Sequence, residues 1–470
     1  MKNNKTLSDI ISVISANLIS IIISIIVVLV VPKFVSIEQY GYWQLYLFYT
    51  SYVGFMHFGH IDGIYLKYGG ANYEELNKAH LKQQFIQLVI LQITIAVLIS
   101  IITLFTIHDN IKYYLINMTL ISMILVNIKM YFQFLLQSTS RIKQYSTSVM
   151  LERILYIVLI LSVIFFFPKT ISNFVYADLI SKGFSLLFVL YICKDIIVNS
   201  QKNNLLNISD FKNYIAMGIN LMFANIASML IIGIVRFAIE YNNGVKTFGK
   251  VSLTLSLANF LMIFITAIGI VLFPLMRRMD QHEMEKFYLS LRNVLMIFVS
   301  LSLILYFPLT YFLSFHLQKY SDSLAYAGIL FPILLFESKN ILLINTFLKN
   351  IRQERKLLYI NTISLLISFM ITAILLFFKS PVEVFVMAIT LILFIRTFIG
   401  EYITSQFLNK SIMIDNVKEG ILAICFIITA LKFTTFKAFL FYLIIWSFFV
   451  ILNRKKNIES FNYLISKISH

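Results

Sequence analysis

The second half of the chain repeats the first half at an offset of 208 residues. Residues 16–20, Ala-Asn-Leu-Ile-Ser, align with residues 224–228, Ala-Asn-Ile-Ala-Ser, and Tyr40-Gly41 aligns with Phe248-Gly249. At the same offset, nearly every apolar segment of the first half falls on an apolar segment of the second. A repeat of this length means that one structural unit is used twice, and it constrains the fold more than any single motif does.

The side chains are too apolar for a soluble protein of this size. Of the 470 residues, 59% are hydrophobic and only 13% are charged, which predicts an all-α polytopic membrane protein. The formal net charge of +17 is spread through short loops, so it is typical of topology-setting charge, and we expect no nucleic-acid partner. The spacing of Cys193 and Cys425 predicts no disulfide, metal site or nucleophile.

Apolar stretches long enough to cross about 30 Å of hydrocarbon predict fourteen transmembrane helices. Lys and Arg are concentrated in the loops on one side of these helices, which predicts that both termini are cytoplasmic, that Ser321 lies outside and that Asn204 lies inside. The predicted spans are residues 10–31, 41–60, 85–107, 113–136, 148–167, 171–193, 215–236, 249–273, 294–315, 325–347, 357–378, 384–407, 420–434 and 438–452.

Six spans precede a polar junction, and because six is even, both halves enter the membrane in the same direction. We therefore predict an N-terminal six-helix lobe (residues 1–196), a cytoplasmic linker (197–214), a C-terminal six-helix lobe (215–410), and a segment (411–470) that adds helices 13 and 14 and a basic cytoplasmic tail. Parallel repeats of this kind are one of the known transporter plans, with the substrate path between the halves.

Several short motifs resemble the polysaccharide-transporter (Wzx-type) family of lipid-linked oligosaccharide flippases. They are FGHIDGIY at residues 58–65, FGK at 248–250, LFPL at 272–275, FESK at 336–339 and NTFLK at 345–349. The superfamily of this family also contains multidrug-extrusion transporters and the lipid II flippase. The resemblance implies two lobes that form a V-shaped cavity and an alternating-access cycle.

The resemblance also implies a cargo and a location. The cargo is a polyprenyl-pyrophosphate oligosaccharide, carried from the inner to the outer leaflet of a bacterial cytoplasmic membrane for capsule, O-antigen or exopolysaccharide synthesis. Expected partners are this lipid-linked oligosaccharide, membrane lipid, a polysaccharide polymerase and glycosyltransferases. The resemblance implies that helices 13 and 14 hold the lipid tail, and the apolar residues of 420–452, Phe426 among them, match that role. The alternatives are that the pair pads the second lobe against lipid or forms a dimer contact.

Ionisable residues inside predicted spans are costly unless they face a partner or a wet cavity. Asp178 and Lys182 lie one turn apart, so a structural ion pair and a substrate contact both remain open. Arg396 has no acidic residue one turn away, which favours a cation that faces a cavity. Arg236 is either an interfacial anchor or a substrate contact.

Lys129 and Glu337 occupy the same place in the two repeats. They are candidates for a gate between the lobes, with hydrogen bonding inside each lobe as the alternative. Lys339 lies about 200° around the helix from Glu337, so the two face different ways. The ionisable residues inside the predicted spans are five cations and two anions, and this excess of positive charge favours an anionic cargo such as a pyrophosphate. They are Lys129, Asp178, Lys182, Arg236, Glu337, Lys339 and Arg396.

Two other functions remain as alternatives. An ion-coupled multidrug exporter would need acidic residues in the first lobe, and a membrane polymerase or ligase would need a large extracytoplasmic loop. We predict no catalytic residue, cofactor or metal, and hence not an enzyme. His57, His60 and Asp62 end the second predicted span and are interpreted as a solvated helix cap.

Overall fold

The computed structural model describes residues 2–198, 208–276, 279–408, 410–433 and 435–468. These residues form helices and connecting turns, without a strand among them, and the predicted all-α fold class is confirmed. The chain divides into two compact units, Met1–Ile226 and Ala227–His470. The lobe and linker boundaries stay predictions, and Asn204, with most of the predicted linker, lies outside the described residues.

The first unit contains eight helices and the beginning of a ninth. Ser36 starts the second helix with a capping box: its Oγ accepts a hydrogen bond from the Gln39 backbone N–H at 3.1 Å, and Gln39 Oε1 accepts one from the Ser36 backbone N–H. The helices are α1 (Lys2–Phe34), α2 (Ile37–Tyr52), α3 (His60–Lys67), α4 (Lys78–Thr106), α5 (Asn110–Ser138), α6 (Ile142–Phe166), α7 (Ile171–Ile192), α8 (Lys194–Ile197) and α9 (Ile208–Met276).

The second unit begins inside α9, which is broken at Gly244 (φ 78°, ψ 172°). A left-handed φ is available to glycine at little cost, so the chain turns there between two helical stretches. The following helices are α10 (Gln281–Ser302), α11 (Tyr306–His316), α12 (Leu324–Leu330), α13 (Ile333–Lys339), α14 (Thr346–Asn350), α15 (Glu354–Phe377), α16 (Val382–Ser405), α17 (Met413–Lys432), α18 (Thr435–Leu452) and α19 (Arg454–Ile468).

Helix bounds follow the sequence repeat. Shifted by 208 residues, α1, α2 and α4 become residues 210–242, 245–260 and 286–314. Each of these three ranges is helical, with a 3-10 turn at residues 303–305 in the third. The repeat in the sequence is therefore matched by a repeat in the order of the helical segments.

The described helices include nine that are long and apolar enough to cross a membrane, or up to eleven if each of two bent pairs is one span. The number is below fourteen partly because Ile208–Phe260, which includes the break at Gly244, counts as one stretch and holds the seventh predicted span and part of the eighth. Two predicted spans are not among the eleven: α2 has only 16 residues, and α17 carries several charges.

Two predicted spans are interrupted by the backbone. The second ends its first helix at Tyr52 and resumes at α3, after Phe58 and Gly59 adopt positive φ values of 51° and 85°. The tenth bends by 44° next to Pro332, which has no N–H to continue a helix. Hydropathy does not register either break, because it is averaged over a window about as long as a span.

Helix α4 shows how the membrane reverses the usual burial pattern. Its glutamines, among them Gln84 and Gln92, are buried inside the first unit. Its large apolar residues, among them Ile93, Val97 and Leu98, are about half exposed. Because hydrocarbon tails solvate such side chains, this arrangement is stable in a bilayer and would be unstable in water.

Three glycines let α3 pack directly on the beginning of α9. A side chain at Gly218 would overlap the backbone of Gly59 and Gly63, and one at Gly63 would overlap the backbone of Tyr214. Helix backbones can approach this closely only where small residues face each other. The glycines of the FGHIDGIY segment are therefore packing residues of the first unit.

Candidate functional site

In the first unit, Asp178 and Lys182 of α7 form the contact that their spacing allows. Lys182 Nζ lies 2.6 Å from Asp178 Oδ2 and also donates a hydrogen bond to Ser122 Oγ at 3.0 Å. The Tyr46 hydroxyl, from α2, donates to the same Asp178 oxygen at 2.7 Å. Side chains from three helices thus hold a neutral ion pair in the interior of this unit.

Lys129 of α5 pairs with Glu152 of α6, and both side chains are largely buried. Glu337, its predicted gate partner, belongs to the second unit and pairs there with Arg396. Each member of the predicted gate therefore has a partner within its own unit, and their meeting across the lobes stays a prediction.

In the second unit, Arg396 of α16 is 5% exposed and donates three hydrogen bonds. Its acceptors are Glu337 Oε1 at 2.9 Å, Ser228 Oγ at 2.8 Å and Asn361 Oδ1 at 3.0 Å. Its buried Nε–H has no acceptor among the residues that the structure describes. Because a guanidinium has five N–H groups in one plane, this arginine retains donors for a further anion.

Lys339 belongs to a second, fully buried network. Its Nζ contacts Glu401 Oε2 at 2.8 Å, Glu419 Oε2 at 2.5 Å and Asn416 Oδ1 at 2.5 Å. Arg292 completes the network with a bidentate contact to Glu401, at 2.6 and 3.0 Å, and a contact to Glu419 at 2.9 Å. The two cations and two carboxylates neutralise each other, which favours a structural role, and the predicted substrate contact of Lys339 stays a prediction.

Arg236 of α9 donates a hydrogen bond to Ser252 Oγ at 2.9 Å. Its guanidinium also lies 5.1 Å from the centroid of the Phe248 ring, a distance at which a cation and an aromatic face attract each other. Both partners belong to the second stretch of the same broken helix. These contacts describe how Arg236 is held and leave its predicted role open.

Sequence reasoning missed the carboxylates that neutralise the predicted cations. Glu152, Glu401 and Glu419 lie in or near span ends and are absent from the count of intramembrane charges, and Arg292 lies two residues before the ninth predicted span. A carboxylate lies within 4 Å of each of Lys129, Lys182, Lys339 and Arg396. The predicted excess of positive charge is therefore largely compensated inside the two units.

The predicted solvated cap at the end of the second span is wrong. His57, His60 and Asp62 are 2%, 0% and 8% exposed, because α3 folds back against the first unit. The Asp62 carboxylate lies 3.8 Å from His57 Nε2. The apolar residues that surround them in FGHIDGIY are the sequence signal that this segment is buried and does not end in solvent.

Comparison with known proteins identifies the fold. No family model matches the chain, and neither does any curated protein. Among solved structures, the lipid II flippase MurJ in an inward-closed conformation matches with a TM-score of 0.65 and 13% identity, over 96% of this chain and 99% of that chain. An inward-facing multidrug-resistance transporter of the MATE family, of the MOP superfamily, matches with a TM-score of 0.59 and 12% identity, over 84% and 99%. The protein shares the fold of these two membrane proteins.

Proposed function

We propose that this protein is a flippase that moves a pyrophosphate-linked, polyprenyl-anchored oligosaccharide across the membrane by alternating access. The fold supports a transporter over an enzyme, because both similar structures are named as a flippase or a transporter. The oligosaccharide class comes from the sequence resemblance to polysaccharide transporters. The proposed biological use is assembly of a capsule, O-antigen or exopolysaccharide in a bacterial cytoplasmic membrane.

The extent of the match favours a lipid-linked cargo. The flippase covers 96% of this chain and the multidrug transporter 84%, a difference of about 56 residues. That difference is close in length to residues 411–470, which hold the additional helices α17 and α18. An exporter of free solutes has no need of such a pair, whereas a lipid tail needs an apolar surface to follow.

Helices α17 and α18 offer such a surface on one side. Ile424 and Ile428 of α17, and Ile444 and Phe448 of α18, are between 46% and 63% exposed. Phe426, expected from the sequence to belong to this surface, is buried in the core of the second unit. We propose that the exposed side chains contact the prenyl chain and that Phe426 anchors the pair to its unit.

The observation that carries the proposal is the environment of Arg396. Planar, paired N–H donors suit a pyrophosphate, and Arg396 keeps a buried donor without an acceptor among the described residues. Its partner Glu337 is 17% exposed, whereas the carboxylates around Lys339 are at most 3% exposed. This difference supports a role for Glu337 as a resident counter-ion that gives way to the cargo.

The same contacts weigh against a multidrug exporter. A cationic drug requires a carboxylate that is not already neutralised. Asp178 is paired with Lys182 and Tyr46, and Glu337 is paired with Arg396. We therefore place the exporter second.

Transport by purified protein in vesicles tests the proposal. The cargo is a short prenyl-pyrophosphate disaccharide with a fluorophore on the sugar, and an impermeant quencher added outside reports which leaflet holds it. Wild-type protein should move this cargo and should not move ethidium. Arg396→Ala should abolish movement, and Arg396→Lys should keep part of it, because charge survives without paired donors.

Arg355→Ala, at an exposed arginine of α15, is the matched control and should transport normally. Full transport by Arg396→Ala would show that Arg396 does not belong to the cargo site. Movement of ethidium without movement of the lipid-linked disaccharide would refute the flippase hypothesis and support the multidrug exporter.

A further inference from the structure

The last described helix, α19, runs at a steep angle to the preceding helix, α18. The axes of Phe436–Leu452 and Arg454–Ser466 differ by 75°. Because α18 has 18 residues, it is about 27 Å long, close to the thickness of the hydrocarbon core. Helix α19 therefore begins near the end of a span and runs closer to the membrane plane than to its normal.

One face of α19 is fixed to the second unit. Asn293 Nδ2, from α10, donates a hydrogen bond to Ser460 Oγ at 2.9 Å. Lys286 Nζ lies 4.6 Å from the centroid of the Tyr463 ring, and Lys456 forms a salt bridge with Asp415 at 3.0 Å. These contacts come from two neighbouring helices and hold α19 in a defined rotation.

The opposite face of α19 is apolar and exposed. Ile458, Phe461 and Ile465 are 49%, 49% and 52% exposed. At about 100° per residue, these three side chains and Arg454 fall within about 60° of arc around the helix axis. Arg454 and Lys455 at the start of the helix are exposed, and Glu459 is the one acid between Arg454 and Ser466.

We propose that α19 is an interfacial helix whose outer face, Arg454, Ile458, Phe461 and Ile465, binds the headgroup region of an anionic phospholipid bilayer. Three large apolar side chains in one row would be unfavourable in water, and the end of α18 places them beside the membrane. Basic residues at the same end match anionic headgroups. Pairing with a second copy is disfavoured, because it would bring two basic segments together.

Lipid quenching of a fluorophore on the full-length protein tests this inference. Cys193 and Cys425 are first replaced by alanine, and single cysteines at Phe461 or Glu459 are labelled with an environment-sensitive dye. Both positions are exposed, but they lie about 160° apart around the helix, so Glu459 is the matched control. The protein is placed in phosphatidylglycerol or phosphatidylcholine vesicles with brominated acyl chains.

The probe at residue 461 should be quenched by brominated phosphatidylglycerol, and the probe at residue 459 should be reached by an aqueous quencher instead. Replacing Arg454 and Lys455 with glutamine should lower the docking equilibrium constant at low salt by about 30-fold. Equal lipid quenching at both positions, or quenching at 461 that is independent of lipid charge, would overturn the proposal. Disulfide formation between residue-461 cysteines of two copies, without lipid quenching, would assign the face to a second copy.

Discussion

Glu419 should be essential to the stability of the second unit because it neutralises two buried cations. Glu419→Gln keeps the shape of the side chain and removes one negative charge. Arg292 and Lys339, which are 2% and 1% exposed, would then share the single carboxylate of Glu401. The network would carry a net positive charge on groups that are almost completely buried.

The size of the effect follows from the burial of these groups. Removing one partner of a buried ion pair costs about 3–5 kcal/mol, because the remaining charge stays desolvated. For a unit of this size, 1 kcal/mol corresponds to a change in melting temperature of about 2–4 °C. We therefore expect Glu419→Gln to lower the melting temperature by about 6–20 °C.

A second substitution shows whether charge is the cause. Lys339→Met in the Glu419→Gln background restores neutrality and leaves the bidentate contact between Arg292 and Glu401 intact. The double variant should regain more than half of the lost stability. Melting followed by size-exclusion chromatography in detergent measures both effects, with Glu354→Gln, at an exposed position of α15, as the control.

Two results would refute this reasoning. One is a melting temperature for Glu419→Gln that matches the Glu354→Gln control. The other is a double variant that is less stable than Glu419→Gln alone, since that would mean that Lys339 contributes through packing and not through its charge. A double-mutant cycle separates these terms.

The contacts of Gly218 and Lys129 give the remaining predictions. Gly218→Ala should destabilise the first unit by at least about 1–3 kcal/mol in detergent melts, whereas Gly183→Ala, which meets nothing within 4 Å, should be nearly neutral. Lys129→Glu should lose transport, and adding Glu152→Lys should restore more than half of it; equal damage in the single and double variants would argue against their pairing.

The structure also changes how the tail-binding role of α17 and α18 should be tested. Ending the chain before Glu419 would remove that carboxylate together with the apolar surface, so a truncated protein would be unstable whatever the surface does. Substituting exposed side chains, such as Ile424→Ser with Phe448→Ser, leaves the buried network in place. Transport of the lipid-linked disaccharide by this variant at the wild-type rate would rule out a prenyl contact there.

The sequence by itself determined the fold class, the repeat and the approximate helix positions. These properties depend on apolar content and its spacing along the chain, which are local, and a bilayer accepts only segments that satisfy their own backbone hydrogen bonds. Loop charges likewise gave a prediction of orientation. The Asp178–Lys182 contact was within reach of the sequence because its members lie four residues apart on one helix.

Only the tertiary structure decided the partners of the remaining buried charges. Arg292 and Glu419 are 127 residues apart, and Arg396 and Glu337 are 59 residues apart, so no helical spacing links them. Their pairing depends on how α10, α13, α16 and α17 pack and rotate against each other. Because an unpaired charge in a buried position is so costly, packing selects the arrangement in which each cation meets a carboxylate, and a count of charges along the chain cannot show which carboxylate that is.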